Sequence, residues 1–198
     1  MASYSEVVDR VMRGDYASAT DQERDEAVHK VIAACAIAAS AVTIQPIPFV
    51  DSALLAPIQI GMVQAIGRVR GFQLDRKSVL EILSTLGASL VAQNAMMAAA
   101  KFVPFFGWVV TVSMAYALTW AIGEVSDFYF KSGRGASERE LREMFDRVYR
   151  QKKDEKQTAN ASNERLRDKL QQLKEAFDAG LIDEAEFARK KEELLAGF

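Results

Sequence analysis

The sequence predicts an all-α protein with two proline-tipped apolar helical hairpins, flanking amphipathic helices, and a tethered two-helix hairpin at the C terminus. Residues 31–67 carry only one charge, Asp51, and residues 82–123 carry only Lys101. Each of these two apolar blocks has a proline-containing break in its middle. Because proline removes an amide donor and disfavours helix in the preceding residue, each block is predicted to form two helices joined at a tight turn.

Two capping boxes mark the starts of helices. A hydroxyl residue stands three positions before a glutamate in both Thr20-Asp-Gln-Glu23 and Ser137-Glu-Arg-Glu140. At this spacing the hydroxyl oxygen accepts from the glutamate's backbone amide, and the glutamate carboxylate accepts from the backbone amide of the hydroxyl residue. Helices are therefore predicted to begin at residues 21 and 138. The second helix continues with a stripe typical of a helix laid on a core: Leu141, Met144, Phe145, Val148 and Tyr149.

The two apolar blocks resemble each other at one constant offset. Pro48-Phe49 aligns with Pro104-Phe105, and Ala65-Ile66-Gly67 aligns with Ala121-Ile122-Gly123. This alignment predicts one shared topology of helix, proline tip, helix and glycine stop. Residues 109–112 are mostly β-branched and would favour a strand in isolation, but their unbroken apolar context favours helix.

Composition predicts three regions along the chain. Residues 1–150 form an apolar helical core domain, and residues 151–163 lack any large apolar side chain. Such a segment cannot offset its ordering entropy by burial, so it is predicted to be a flexible linker. Residues 164–198 form a helical hairpin that is too small to bury its own apolar surface, so we expect a homo-oligomer. The candidate self-association residues are Leu166, Leu170, Leu173, Phe177, Phe187, Leu194 and Leu195.

The sequence offers no set of residues for catalysis, metal binding or a cofactor. It has a single histidine, His29, and a single cysteine, Cys35, which reads as a small packing residue within an apolar run. No nucleophile, base and orienting group can be named together, so the protein is predicted not to be an enzyme. The balance of 25 Lys and Arg against 27 Asp and Glu argues against nucleic acid as a partner.

The two proline tips supply the candidate residues for contact with a partner or with lipid. Aromatic rings beside a lysine are favoured at a lipid interface, whereas in a soluble bundle the same tip would be a buried elbow. Asp51 is either a contact carboxylate or, as we favour, the N-cap of a helix beginning at Ser52 or Ala53. The candidate residues are Pro48, Phe49, Asp51, Lys101, Phe102, Phe105, Phe106 and Trp108.

Two environments fit this pattern. A spanning helix needs ~20 apolar residues, a length that residues 102–122 reach and residues 31–44 do not. The basic residues between the blocks would keep that loop on the cytoplasmic side, and the polar start of the chain is unlike a signal peptide. We therefore expect the cytoplasmic face of a bacterial inner membrane or, alternatively, the cytoplasm, where amides such as Gln59 and Gln64 would pair between helices. The basic residues are Arg68, Arg70, Arg76 and Lys77.

Two resemblances extend this interpretation. Residues 166–198, above all 173–195, resemble the SHOCT family of short C-terminal domains, which implies an oligomerisation or interaction tail. Residues 24–149 are similar to a helical domain of unknown function that often follows GTPase domains in bacteria and occurs in the inner-membrane protein YcjF. The residues that carry this similarity are Pro46-Ile-Pro-Phe-Val-Asp51, Gln59, Met62, Gly71, Thr119-Trp-Ala-Ile-Gly123 and Phe128-Tyr-Phe-Lys-Ser-Gly133.

The second resemblance implies that the protein acts close to a membrane together with nucleotide-dependent proteins. Any GTPase would then be a separate chain. The sequence therefore predicts a non-enzymatic, self-associating scaffold or adaptor close to a membrane. The alternative is a soluble oligomeric regulatory partner of a separate GTPase.

Overall fold

The structure is a computed structural model that describes residues 10, 11, 13, 16–42, 50–87, 93, 96, 107–178 and 183–196. Within these residues it contains helices and no strand, which confirms the all-α prediction. The chain divides into two compact units, Met1–Asp154 and Glu155–Phe198. The helices are α1 (Asp21–Val42), α2 (Val50–Val69), α3 (Arg76–Ser84), α4 (Gly107–Lys131), α5 (Glu138–Asp178) and α6 (Glu184–Ala196).

The centre of the first unit is α4, which is buried on nearly every side. Both α1 and α2 pack against α4 and against each other, while α3 packs against α2. Leu118 and Ile122 of α4 are almost fully buried, as are Met62 and Ile66 of α2. The uncharged part of α4, residues 107–123, must be enclosed by protein or lipid, and in this unit α1 and α2 pack against the helix. Residues 109–112 are helical, as the apolar context predicts.

Two glycines of the apolar blocks allow close packing, and the predicted glycine stops at these positions are wrong. A Cβ atom on Gly123 would lie 2.6 Å from Cγ1 of Ile32, and α4 continues beyond this glycine to Lys131. A Cβ on Gly67 would lie 2.8 Å from Cδ1 of Leu74. Glycine is therefore needed at position 123, where the Ile32 side chain fills the space of the missing Cβ, whereas at position 67 only the end of the Leu74 side chain would have to move.

The residues that end these helices lie further along the chain. Gly71 follows α2 with φ of +87°, and Gly133 follows α4 with φ of +63°. Such left-handed backbone favours glycine. The Phe72 amide donates to the Gly67 carbonyl at 2.8 Å, which satisfies one of the free carbonyls at the end of α2.

Both predicted capping boxes are present. The Glu23 amide donates to Thr20 Oγ1 at 3.3 Å, and the Thr20 amide donates to Glu23 Oε2 at 2.8 Å. The corresponding distances between Ser137 and Glu140 are 3.3 and 2.9 Å. The starts predicted for α1 and α5 are therefore confirmed, because these bonds depend only on residues close in sequence.

The first turns of α5 complete the core of the first unit. Leu141, Phe145 and Tyr149 are all buried in the main cluster with residues of α1, α2 and α4. Nε of Arg142 donates to the Thr85 carbonyl at 3.0 Å, which joins α5 to the end of α3. The apolar stripe predicted for this helix is confirmed.

Residues 151–163 differ in local structure from the linker that the sequence predicts. They continue α5, which runs without interruption to Asp178. The segment lacks large apolar residues, but its lysine, glutamate, glutamine and alanine residues are strong helix formers. The lack of large apolar residues therefore did not prevent a helix, because the helix propensity of the segment favours this backbone conformation.

No helix of the described residues is both long enough and apolar enough to cross a membrane. Residues 102–122, which reach the length of a span in the sequence, include five residues before the start of α4 that lie outside the described part of the chain.

We predict opposite effects for two glycine-to-alanine substitutions. Gly123→Ala should lower the free energy of unfolding by about 1–3 kcal/mol, because its Cβ would overlap Ile32 inside the core. Gly61→Ala is the matched control in α2, where a Cβ meets nothing within 4 Å, and it should raise the free energy by up to ~1 kcal/mol. Urea unfolding followed by circular dichroism measures both. Equal effects would contradict the close approach of α1 and α4.

Candidate functional site

The residues predicted at the proline tips lie largely outside the described part of the structure. Residues 43–49 contain Pro48 and Phe49, and residues 97–106 contain Lys101, Phe102, Phe105 and Phe106. Trp108 belongs to the backbone of α4, but its side chain is outside the described atoms. Contact of these residues with a partner or with lipid therefore stays a prediction.

Asp51 lies in the first turn of α2, which begins at Val50. The sequence predicts Asp51 as the N-cap of a helix starting at Ser52 or Ala53. The helix starts earlier than predicted, so Asp51 lies inside it and not at its N-cap. A carboxylate in the first turn still suits the positive end of the helix dipole. The side chain itself is outside the described atoms, so its contacts stay untested.

The predicted self-association residues all lie within or beside the helices of the second unit. Leu173 is buried, with 9% of its surface exposed, and Phe187 is half-buried. The side chains of the other five are outside the described atoms: Leu166, Leu170, Phe177, Leu194 and Leu195. The carboxylate of Asp183 accepts a bond of 2.8 Å from the Glu186 amide and so caps the start of α6.

A charged cluster that the sequence analysis missed joins the three central helices of the first unit. It consists of Asp25 on α1, Arg70 just after α2, and Asp127 and Lys131 on α4. Arg70 donates through Nε to one oxygen of Asp127 at 2.6 Å and through a terminal nitrogen to the other at 3.1 Å. The same terminal nitrogen lies 2.5 Å from Asp25 Oδ1. Nζ of Lys131 lies 2.8 Å from Asp25 and 3.1 Å from Asp127.

Burial differs sharply between the two ends of the charged cluster. The side chains of Arg70 and Asp127 are 7% and 12% exposed, whereas those of Asp25 and Lys131 are about half exposed. Hydrogen bonds from Lys131 and then from Arg70 hold the pKa of Asp25 below its usual value. Burial alone would lower the pKa of Lys131, but its bonds to Asp25 and Asp127 raise that pKa overall.

This arrangement fixes the relative position of helices. Arg70 makes a bidentate contact with Asp127, and such fork-shaped contacts require a defined geometry. Its two carboxylate partners come from α1 and α4, so one guanidinium holds three helices in register. Both carboxylates are engaged by cations, which suits a structural role better than proton transfer.

A second set of contacts surrounds Trp120 of α4. The ring of His29 meets it edge-on at a centroid distance of 5.2 Å, and Tyr116 lies against it at 5.5 Å. Nζ of Lys152 sits 4.9 Å from the centre of the Trp120 ring, which links α5 to α4 by a cation–π contact. His29 therefore contacts α4 through Trp120 while remaining exposed. Cys35 packs against the core as predicted, and burial raises the pKa of its thiol.

The sequence contained only a weak signal for the charged cluster. Asp127 and Lys131 have the spacing of neighbours on one helix face. Arg70, however, stands among the cations between the two apolar blocks, and together with Arg68, Arg76 and Lys77 it predicts only the orientation of a loop at a membrane. Its burial depends on the packing of α1 and α4, which the residues around it do not reveal.

Loss of Arg70 should destabilise the first unit strongly. Arg70→Gln is expected to lower the free energy of unfolding by about 3 kcal/mol, because it leaves Asp127 buried without its bidentate cation. Lys77→Gln is the control, since its exposed pair with Glu81 spans 4.0 Å and should contribute less than ~1 kcal/mol. Denaturant titration of each variant measures the difference. A similar small change in both would show that the cluster contributes no more than a surface pair.

Asp25 should make stability depend on pH in the acid range. Its folded pKa is lowered, so its contribution is complete above the unfolded value of about 4 and is lost as the pH falls through the folded value. The stability difference between wild type and Asp25→Asn should therefore shrink as the pH falls below about 4. Thermal melting across a pH series measures it. A difference that does not change with pH would contradict the ion pairs of Asp25.

Comparison with known proteins agrees with both resemblances drawn from the sequence. The domain of unknown function DUF697 matches residues 9–154, and the short C-terminal domain SHOCT matches residues 168–195. The chain is 30% identical over 118 residues to magnetosome membrane protein 22 of Magnetospirillum gryphiswaldense, an alignment that covers 56% of this chain and 60% of that protein. The match thus spans less than two thirds of the relative's length. No solved structure matches the chain.

The match to DUF697 covers most of the chain and coincides with the first unit, which contains the charged cluster. The protein therefore belongs to the family of helical domains of unknown function DUF697, and it carries a SHOCT domain after that unit.

Proposed function

We propose that this protein is a non-enzymatic adaptor that works at the cytoplasmic face of a membrane and self-associates through its SHOCT domain. The observation that carries the membrane assignment is the similarity to a relative named as a magnetosome membrane protein. The SHOCT domain supports the assignment of the tail to association.

The packing of the first unit favours peripheral contact with the membrane over insertion of its hairpins. Its apolar helices already bury one another: α4 is covered by α1 and α2, and Gly123 lies directly against Ile32. Withdrawing these helices into lipid would also separate Arg70 from Asp127. We therefore assign lipid contact to the aromatic tip rather than to the helices. The residues of this tip are Lys101, Phe102, Phe105, Phe106 and Trp108.

The charged side chains of the first unit support an adaptor rather than an enzyme. Asp25 and Asp127 are engaged by Arg70 and Lys131, so their bonds serve helix packing. His29, the only histidine of the chain, packs on Trp120.

A specific observation supports the alternative, a soluble oligomeric regulatory partner of a separate GTPase. Two amides of α2 find partners inside the unit: Gln59 approaches Thr119 Oγ1 at 3.5 Å, and Gln64 donates to the Leu74 carbonyl at 3.2 Å. A bundle that satisfies its interior amides can be stable in water without lipid. Membrane partition therefore decides between the two functions.

Self-association is expected to reside in the tail. Each large apolar side chain left exposed forgoes the ~1.5–3 kcal/mol that its burial would contribute. A second copy of the chain would offer a favourable surface for the candidate self-association residues of the second unit. Deletion of residues 164–198 should lower the particle mass measured by light scattering while leaving the circular dichroism of the first unit intact. As a point variant, Leu170→Gln should weaken the oligomer, and Lys169→Gln, at a neighbouring exposed position, should not. An unchanged mass after truncation would move the association to the first unit.

Membrane contact is tested on the full chain by flotation with vesicles of bacterial lipid. Wild type should float with the vesicles, and Phe105→Ser combined with Phe106→Ser should remain at the bottom of the gradient. A wild-type protein that stays at the bottom, yet retains its oligomeric mass, would favour the soluble alternative.

A further inference from the structure

The charges of the first unit are concentrated at one end of its three packed helices. At this end the charged cluster joins α1, α4 and the residue that follows α2. The opposite end is marked by a small apolar cluster, in which Ala39 of α1, Leu55 of α2 and Met114 of α4 are buried together. The end of α1 therefore lies beside the N-terminal halves of α2 and α4.

This opposite end presents an apolar surface to its surroundings. Residues 31–42 of α1, 52–67 of α2 and 107–123 of α4 contain no charged residue. Ile37 is 57% exposed, although the solvent face of a helix in water usually carries polar and charged side chains. We define the apolar end as the exposed residues that the structure describes in these three ranges: Ile37, Ala38, Ala41, Ala56, Pro57 and Gly61.

Two polar side chains near the apolar end are paired within the unit. Oγ of Ser40 donates to the Ala36 carbonyl at 2.9 Å, and Nε2 of Gln59 approaches Thr119 Oγ1 at 3.5 Å. A surface that contacts lipid must satisfy its own polar groups, because the hydrocarbon layer offers them no partner. These two side chains therefore need no water beside the apolar end.

The composition of the apolar end favours lipid over protein as the contacting surface. Protein interfaces combine an apolar centre with a polar rim, and aromatic or arginine side chains carry most of their binding energy. The six residues of the apolar end include no such side chain and no hydrogen-bonding side chain. The aromatic tip also leads into α4, which begins at Gly107, so the apolar end is connected to the residues already assigned to lipid.

We infer that the apolar end lies in the interfacial layer of a lipid bilayer while α1, α2 and α4 stay packed, and that Ile37 enters the lipid. This inference rests on the proposed function and extends its lipid contact from the aromatic tip to the exposed side of α1. Interfacial segments enter a bilayer by about 5–10 Å, so no helix has to span it.

Asp51 limits the depth of entry. It is the one charge between Lys30 and Arg68, and it lies in the first turn of α2. A carboxylate is unfavourable in the hydrocarbon centre of a bilayer, whereas it can stay hydrated among the headgroups. An inclination of the first unit toward its α1 side would place Ile37 in the lipid and keep Asp51 at the level of the headgroups.

Fluorescent labels test this contact on the full chain. Ile37→Cys and Leu80→Cys, each combined with Cys35→Ala, provide a single thiol for a bimane label. Leu80 is the matched control, because it is 48% exposed on α3 and stands between the charged residues Lys77 and Glu81. With vesicles of phosphatidylcholine and phosphatidylglycerol, bimane at position 37 should emit at shorter wavelength and be quenched by doxyl-labelled lipid. Bimane at position 80 should keep its aqueous emission.

The affinity for the same vesicles supplies a second measurement. Ile37→Ser should raise the lipid concentration at half-maximal binding by about tenfold, because the variant forgoes burial of the isoleucine side chain in lipid. Leu80→Ser should change that concentration by less than about twofold, because a single exposed apolar side chain away from the lipid contributes little. Circular dichroism verifies that both variants are folded, as expected for exposed positions.

Flotation of the wild type with these vesicles separates this inference from the proposed function. If the wild type floats but bimane at position 37 keeps its aqueous emission, the inference is wrong and the membrane assignment stands. If the wild type does not float, both are wrong. A shift at position 37 that appears without vesicles and grows with protein concentration would assign the apolar end to a second copy of the chain and overturn the inference.

Discussion

Enclosure of α4 on nearly every side is the constraint from which the rest of the first unit follows. Residues 107–123 of α4 carry no charge and need apolar neighbours on most sides. Helices α1 and α2 provide them, and the start of α5 completes the core. Each large side chain buried in this way contributes ~1.5–3 kcal/mol, so the enclosure outweighs any single polar contact in the unit. The contact of Gly123 with Ile32 sets how closely α1 and α4 approach.

Apolar packing of this kind specifies burial better than it specifies register, because alanine, valine and isoleucine can exchange neighbours at little cost. The charged cluster specifies the register of the helices, which apolar packing leaves open. Arg70 is 7% exposed and contacts carboxylates from two other helices. Taking a charge out of water is unfavourable unless its partners are correctly placed, so a displaced helix would leave Arg70 or Asp127 unpaired. We therefore interpret the charged cluster as specifying how the helices pack, more than as adding to the free energy of unfolding.

The features that could be predicted from the sequence are those determined by residues close in sequence. The capping boxes at Thr20 and Ser137 and the stripe of α5 are of this kind, and both are present. Gly123 could not be distinguished from a helix stop, because its role depends on Ile32 in another helix. Residues 151–163 show the converse limit, since their helix propensity determined the backbone although the segment has no large apolar residue. The position of Arg70 required the tertiary fold for the same reason, because its carboxylate partners come from α1 and α4.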